Sequence, residues 1–394
     1  MRRLSEVQSA LIDEGLDGWL LYDFKGINPI AQSIAGLRSD LFLTRRWACY
    51  IPARGEPRWL VHGIEAGSMQ DVAPNAGTYV SWHAWAEGLR KITRGAQRVA
   101  MEVSPGCAIP YVSRVDAGTV ELVRSLGLEV VTSADLVQVA EAVWSSDQLA
   151  SHRRAAQALI EIKAATFAHV RQRLAAGEPV SECGIQDFMM AEFASRGLET
   201  DHPPIVGVNA HGADPHFAPR RDADTVLQMG DFLLIDLWAK EPGPENIMGD
   251  ITWVAYAGHD VPARAQQVFD VVRAARDRAV AFGRERVQAG ETVYGYEVDD
   301  ACRAVIAEAG LADYFIHRTG HSIGTTTHGN GVNIDNLETQ DRRRLMPGAG
   351  FSIEPGVYLP HEGFGVRLEI DCYVTGNDVE VTTLPLQDAW VLLA

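Results

Sequence analysis

A basic stretch is the first thing missing from this 394-residue chain. Lysine and arginine number 35 against 52 aspartates and glutamates, for a formal charge of −17. A nucleic-acid binder needs a basic patch to displace counterions from phosphates, so that class of partner is excluded. The acidity itself names no partner. No apolar run approaches the ~20 residues that a membrane-spanning helix requires. The first residues, MRRLSEVQSALIDEGL, carry a basic pair but no apolar centre, and they predict an amphipathic helix rather than a signal peptide. Cysteine is scarce and scattered: Cys49, Cys107, Cys183, Cys302 and Cys372 are odd in number, and no two have metal-ligand or redox spacing. They are expected to be reduced, buried thiols of a cytoplasmic protein.

What is present divides near residue 144. Residues 1–144 alternate helix-like and strand-like patterns. A helix over about 4–15 ends at Gly15, and GWLLYD, RWACYIP, RWLVHGI, QRVAMEV and LEVVTS read as strands. AGTVELVRSLG reads as a helix closed by Gly127. This is an α/β domain, and it lacks a phosphate-binding glycine loop. Ser145 and Gln148 form a capping-box pattern that opens a long helix to about Ala176, starting a second domain over 145–394.

That second domain contains a repeat. AAGEPV (Ala175 to Val180) recurs as QAGETV (Gln288 to Val293), and each copy is followed by a glycine 20 residues beyond its own, Gly197 after Gly177 and Gly310 after Gly290. Further on, MGDFLLID aligns with PGAGFSIE, so Asp236 matches Glu354, and Asp250 matches Glu369. Both copies run helix, helix, strands, which predicts an α+β domain with a pseudo-two-fold axis.

Asp236 lies inside the apolar strand FLLIDLWA, and Asp250 heads a second, ITWVAYA. A carboxylate in such a strand loses its hydration unless it is paired or binds metal. Duplicated units packed about a two-fold axis bring Asp236, Asp250, Glu354 and Glu369 together. Four carboxylates repel one another, and two dications restore neutrality. Oxygen ligands with one imidazole suit Mn²⁺, Co²⁺ or Zn²⁺. The imidazole comes from HRTGHSIGTTTHG, which offers His317, His321 and His328 in a glycine-rich loop.

With these motifs, the second domain resembles the pita-bread metallopeptidases. The whole chain resembles their Xaa-Pro dipeptidase (prolidase), Xaa-Pro aminopeptidase and creatinase branch, in which a creatinase/prolidase-like N-terminal domain precedes the catalytic one. The resemblance implies two divalent metals, Mn²⁺ foremost, with Asp236 chelating one. Asp250 and Glu369 bridge the two, and His321 and Glu354 complete the other. It implies a metal-bridging hydroxide as nucleophile, with Glu354 as general base. His216, in DPHFAP, contacts the substrate near the scissile amide, and His328 stabilises the oxyanion. Arg367, in GVRLEID, orients Glu369 or holds the substrate. The activity implied is hydrolysis of the X–Pro bond in dipeptides or short peptides, by a homodimer.

Several positions depart from the family pattern. The segment between the two aspartates is longer and holds no tyrosine, Trp253 stands where an arginine usually follows DIT, and Gly329 replaces an acidic residue. None of these is a metal ligand; all bear on outer substrate contacts. Three alternatives stay open: a metal-dependent hydrolase of a small C–N-bonded solute, resembling ectoine hydrolase or creatinase; an aminopeptidase acting on longer peptides; and a non-catalytic binding module. GLRSDLFLTRRW offers Arg38, Arg45 and Arg46 to meet a substrate carboxylate. His202, His211, His317 and His361 are expected to be structural or peripheral.

Overall fold

Helix α1 (Leu4–Asp13) stops two residues before Gly15, whose φ of 63° turns the chain into β1 (Gly18–Asp23). All six residues of β1, the run GWLLYD, are buried, as a central strand covered on both faces must be. Asn28 caps α2 (Pro29–Ala35), whose proline takes the N1 position where no backbone donor is needed. Next come β2 (Trp47–Pro52), β3 (Arg58–His62), β4 (Gly77–Tyr79), α3 (Trp82–Ile92), β5 (Arg98–Met101), α4 (Ala117–Ser125), β6 (Glu129–Thr132) and α5 (Ala134–Val137). The six strands form one sheet in the order β4-β3-β2-β1-β5-β6, parallel except for β2. Alternation sorts its side chains. Trp19 and Leu21 pack with Val7 and Leu11 of α1 and Ile30 of α2, whereas Leu20 and Tyr22 pack with Trp85 of α3 and Val120 of α4. Sequence reasoning missed α2, α3, β4 and α5, although α3 carries a Ser81 cap and buries Trp85, Leu89 and Ile92 at helical spacing.

This computed structural model describes residues 1, 3–38 and 40–394, and its contacts define two units, Met1–Glu141 and Ala142–Ala394. Residues 142–144, placed from sequence with the first domain, belong to the second unit. Val143 bridges to Ala349, and Trp144 N donates to Gly348 O. Cys107 departs from the expectation of buried thiols: it is exposed in an irregular turn, while the other four are buried, and all five are free.

The second unit follows the repeat. The capping box of Ser145 and Gln148 starts α6 (Ser146–Ala175), followed by α7 (Glu182–Ser195), β7 (Ile205–Val208), β8 (Phe232–Ala239) and β9 (Gly249–Tyr256). Its second copy has α8 (Ala263–Gln288), α9 (Gly295–Glu308), β10 (Ser322–Ile323) and β11 (Gly350–Ile353). The hairpin of β12 (Gly356–Leu359) and β13 (Phe364–Arg367) comes next, then β14 (Ile370–Val374), β15 (Val379–Val381) and β16 (Val391–Leu392). Gly177 and Gly290 end corresponding helices at φ 70° and 71°, a left-handed cap that costs glycine nothing.

Antiparallel β8 and β9 lie in the sheet β16-β9-β8-β7, and antiparallel β11 and β14 in the sheet β10-β11-β14-β15. Leu233, Ile235 and Leu237 of β8 and Ile251 of β9 pack with Leu159 of α6 and Met189 of α7. Phe351 and Ile353 of β11, with Ile370 and Cys372 of β14, pack with Phe269 of α8 and Cys302 of α9. Period-2 alternation therefore turns Asp236, Asp250 and Thr252 away from one core, and Ser352, Glu354, Glu369 and Asp371 away from the other. These faces meet where Asp250 N donates to Asp371 Oδ2 at 2.8 Å and Glu369 N to Thr252 O at 3.2 Å. Among the described residues, no helix is long and apolar enough to cross a membrane.

Candidate metal centre

Register brings the acids together. Asp236 pairs with Thr252 across β8 and β9, and Asp250 lies two residues from Thr252, so the three share one face. Ile353 pairs with Ile370, which sets Glu354 and Glu369 facing each other one residue further on. The fifth group arrives on a loop. Gly320 precedes His321, and a Cβ there would fall 1.9 Å from Ser352 O, so only glycine lets this segment run against β11. His321 N then accepts its place by donating to Ser352 Oγ at 3.0 Å, and Ser352 N donates to His321 O at 2.8 Å.

Ligand atoms of Asp250, His321 and Glu369 all lie within 4.8 Å of one another. His321 Nε2 is 3.6 Å from Asp250 Oδ2, 3.5 Å from Glu354 Oε1 and 4.0 Å from Glu369 Oε1. Asp236, 6 % exposed, stands across from them with Oδ2 bonded to Arg367 Nη2 at 2.5 Å. The five groups line one cavity of about 500 Å³ in the second unit, with His216 and His328 at its exposed rim. The His328 ring meets the His321 ring edge to face at 4.4 Å.

The electrostatics are those of a site short of positive charge. Burial, reinforced by Glu369, Asp236 and Asp371, raises the Asp250 carboxyl well above its ordinary range. Glu369 is raised likewise, by burial and then by Glu354 and Asp236. Burial pushes Glu354 up to about 7 against the pull of Arg367 and Arg318. Asp236 is also raised by burial, with Arg367 opposing. His321 falls well below its usual value through burial and the neighbouring His328, which keeps its imidazole neutral and able to coordinate. Two unscreened carboxylates at such separations repel by about 3 kcal/mol at an effective dielectric of ~20. Several such pairs would consume most of a domain's net stability of ~5–15 kcal/mol. Asp236 Oδ1 and Asp250 Oδ1 are buried without a hydrogen-bond partner among the described residues. Unpartnered buried oxygens, a neutral imidazole and mutual repulsion all fit a cationic occupant.

Around the acids lies a shell that sequence reasoning missed. Thr252 Oγ1 donates to Glu369 Oε2 at 2.7 Å and accepts from Arg367 Nε at 3.0 Å. Among the described residues Arg367 reaches Glu369 through Thr252, and its direct carboxylate partner is Asp236. Arg367 also donates to Pro215 O at 3.2 Å, beside His216. His317, expected to be peripheral, lines the cavity. Its Nε2 lies 2.7 Å from Tyr358 Oη, which Arg367 Nη1 approaches at 3.4 Å. Burial and then Arg367 drive His317 down to about 3, so it stays neutral. The hydroxyl in DIT and the tyrosine in IEPGVY gave no signal, because their partners lie over 100 and about 40 residues away. His211 stacks on Phe217 and pairs with Glu182 at 2.8 Å, and His361 is exposed on the β12–β13 turn. His202 is exposed beside Asp201. Arg38, offered from sequence as a carboxylate binder, pairs with Asp40 at 2.5 Å.

Comparisons with known proteins agree with this architecture. The model of metallopeptidase family M24 matches residues 150–376, the span that carries every acid of the site. A probable dipeptidase PepE of Mycobacterium tuberculosis is 29% identical over 98% of this chain and 94% of its own. An uncharacterised peptidase of Staphylococcus saprophyticus is 32% identical, over 52% of this chain and 54% of its own. The crystal structure of dipeptidase PepE from Mycobacterium ulcerans aligns with a TM-score of 0.68 at 24% identity, covering 99% of this chain and 97% of that one. A prolidase from Thermococcus sibiricus aligns at 0.62 and 19% identity, covering 99% and 98%. The fold is thus an α/β N-terminal domain followed by a pita-bread catalytic domain, as the family resemblance implied. This chain, with its duplicated strands converging on buried acids, belongs to metallopeptidase family M24.

Proposed function

We propose that the protein hydrolyses the X–Pro bond of dipeptides or short peptides, using two divalent cations held by Asp236, Asp250, His321, Glu354 and Glu369. The observation that supports it is the convergence in one cavity of five metal-type ligands, four of them buried and three within 4.8 Å of one another, together with a dipeptidase relative matched over 98% of this chain. Bound cations of the manganese type neutralise the acids, polarise a carbonyl and lower the pKa of water.

The chain's own groups do the rest. Glu354 sits at the cavity wall with Ser352 Oγ donating to its Oε1 at 3.2 Å, so it is held where it can take the proton of the attacking water and return it to the leaving nitrogen. Proline's tertiary amide offers no N–H to grip, so positioning falls to the carbonyl and the chain ends. His328 and His216 both line the cavity; the first would donate to the developing oxyanion and the second would contact the substrate beside the scissile bond. Arg367 holds Asp236 and, through Thr252, Glu369 in register. Ile205 and Trp238 supply an apolar wall to the same cavity, suited to a pyrrolidine ring.

Manganese-reconstituted protein should release proline from X–Pro dipeptides faster than it cuts X–Pro–Y tripeptides or cyclic amidines. Turnover of the amidines alone would overturn the peptidase reading. Turnover of tripeptides alone would make the enzyme an aminopeptidase. Gel filtration with light scattering tests the proposed homodimer.

A further inference from the structure

The first unit holds a second cavity, of about 590 Å³, that the peptidase reading does not use. Its position follows from the sheet. Strands β1, β3 and β4 run the same way, and Tyr22, His62 and Tyr79 at or next to their carboxyl ends line the space. Arg45 and Arg46, just before the start of antiparallel β2, reach the same edge. In open α/β sheets ligands bind outside the carboxyl ends of the strands.

Charge and shape narrow the ligand. The two arginines have no carboxylate partner among the described residues: Arg45 Nη1 donates to Thr44 Oγ1 at 2.7 Å, and Arg46 lies over the Trp85 ring at 5.0 Å. Nearby acids are already spent on N–H and O–H donors. Asp116 accepts from Thr119 N at 2.8 Å and Thr119 Oγ1 at 2.7 Å. Glu65 accepts from the amides of Thr44 and Arg45, and Asp23 from those of Gly26 and Asn28. Asp116 also lines the cavity and keeps its negative charge, so the two guanidiniums exceed the lining carboxylate by one charge. Its walls carry aromatic rings, with Phe24 and Trp82 38% and 69% exposed, large apolar surface of a kind that usually marks a binding site when clustered.

We propose that this cavity binds a small oxyanion carrying a planar ring, an aromatic phosphate or carboxylate, with Arg45 and Arg46 on the anion and the rings of Phe24 and Trp82 beside its face. Guanidinium forks match both anions.

Calorimetric titration of the full-length, metal-loaded protein with phenyl phosphate, benzoate and inorganic phosphate tests it. One ring-bearing ligand should bind per chain, about tenfold or more tighter than inorganic phosphate, the difference being the ring's contact. It should quench tryptophan fluorescence, and Trp82→Phe should reduce the quench. Arg45→Gln, an exposed change that leaves folding alone, should weaken binding about tenfold. His321→Ala, which disables the metal centre, should leave it intact. No saturable binding of either aromatic anion, indifference to Arg45→Gln, or loss in His321→Ala would each overturn the proposal; the last would place the anion at the metal centre instead.

Discussion

Arg367 Nη2 donates to Asp236 Oδ2 at 2.5 Å, joining a residue of the second repeat to one of the first across 131 positions of chain. Its Nε donates to Thr252 Oγ1, which in turn donates to Glu369. One planar fork thus fixes two of the proposed ligands. Lysine is a single point donor and cannot serve both. Arg367→Lys should lower kcat/KM by about 10–100-fold, with metal affinity falling in parallel. Steady-state kinetics and competitive metal titration check it; unchanged metal affinity would mean that the arginine acts on substrate alone.

Thr252→Val keeps the shape of the side chain and removes both hydrogen bonds. Glu369 would lose its hydroxyl donor while Asp236 keeps Arg367. Metal stoichiometry by elemental analysis should stay near that of the parent protein, and affinity should fall about tenfold, the lower end of effects seen for groups behind metal ligands.

The acids carry a pH signature in metal-free protein. Glu354 is raised from 4.5 to about 7, so the folded state binds its proton more tightly than the unfolded state does. That contribution is fully present below pH 4.5 and is lost as pH rises to about 7. Replacing the acid by an uncharged amide removes it. Between pH 4.5 and 7 the stability of chelator-treated Glu354→Gln should gain on wild type by about 3 kcal/mol. Paired urea melts at each pH read the gap, and a gap independent of pH would refute the shift.

His152 supplies the opposite slope. It is fully buried, with Nδ1 2.7 Å from Met248 O and Nε2 2.7 Å from Thr382 Oγ1, and burial lowers it to about 4. Its contribution is present above pH 6.5 and lost as pH falls towards 4, because the unfolded chain takes up the proton first. His152→Gln should flatten the acid side of the stability curve in that window, at a cost of about 1–3 kcal/mol at neutral pH for the disturbed bonds.

Gly320 tests the loop. Its missing Cβ makes room for Ser352 O, so Gly320→Ala must push the His321 segment away from β11. A loss of about 3 kcal/mol or more is expected, with metal binding weakened further than in Thr252→Val. Calorimetric melting with and without manganese separates the two effects.

Much of this was legible in the chain. The period-2 run FLLIDLWA, broken by one acid, and its echo in GFSIE placed Asp236 and Glu354 at matching strand positions, because alternation is a local property of the backbone. Glycines 20 residues apart marked helix ends in both copies, since a left-handed cap selects glycine wherever it occurs. The Ser145–Gln148 box announced α6 for the same local reason. What tertiary structure alone decided was partnership. That Arg367 grips Asp236 rather than Glu369, that Thr252 mediates between them, that His317 belongs to the cavity and that Arg45 and Arg46 line a cavity without pairing to an acid among the described residues all depend on strands and loops distant in sequence being brought within about 3–5 Å. Hydrogen bonds and ion pairs act over that range, and a linear pattern does not encode which distant strand will supply the other half.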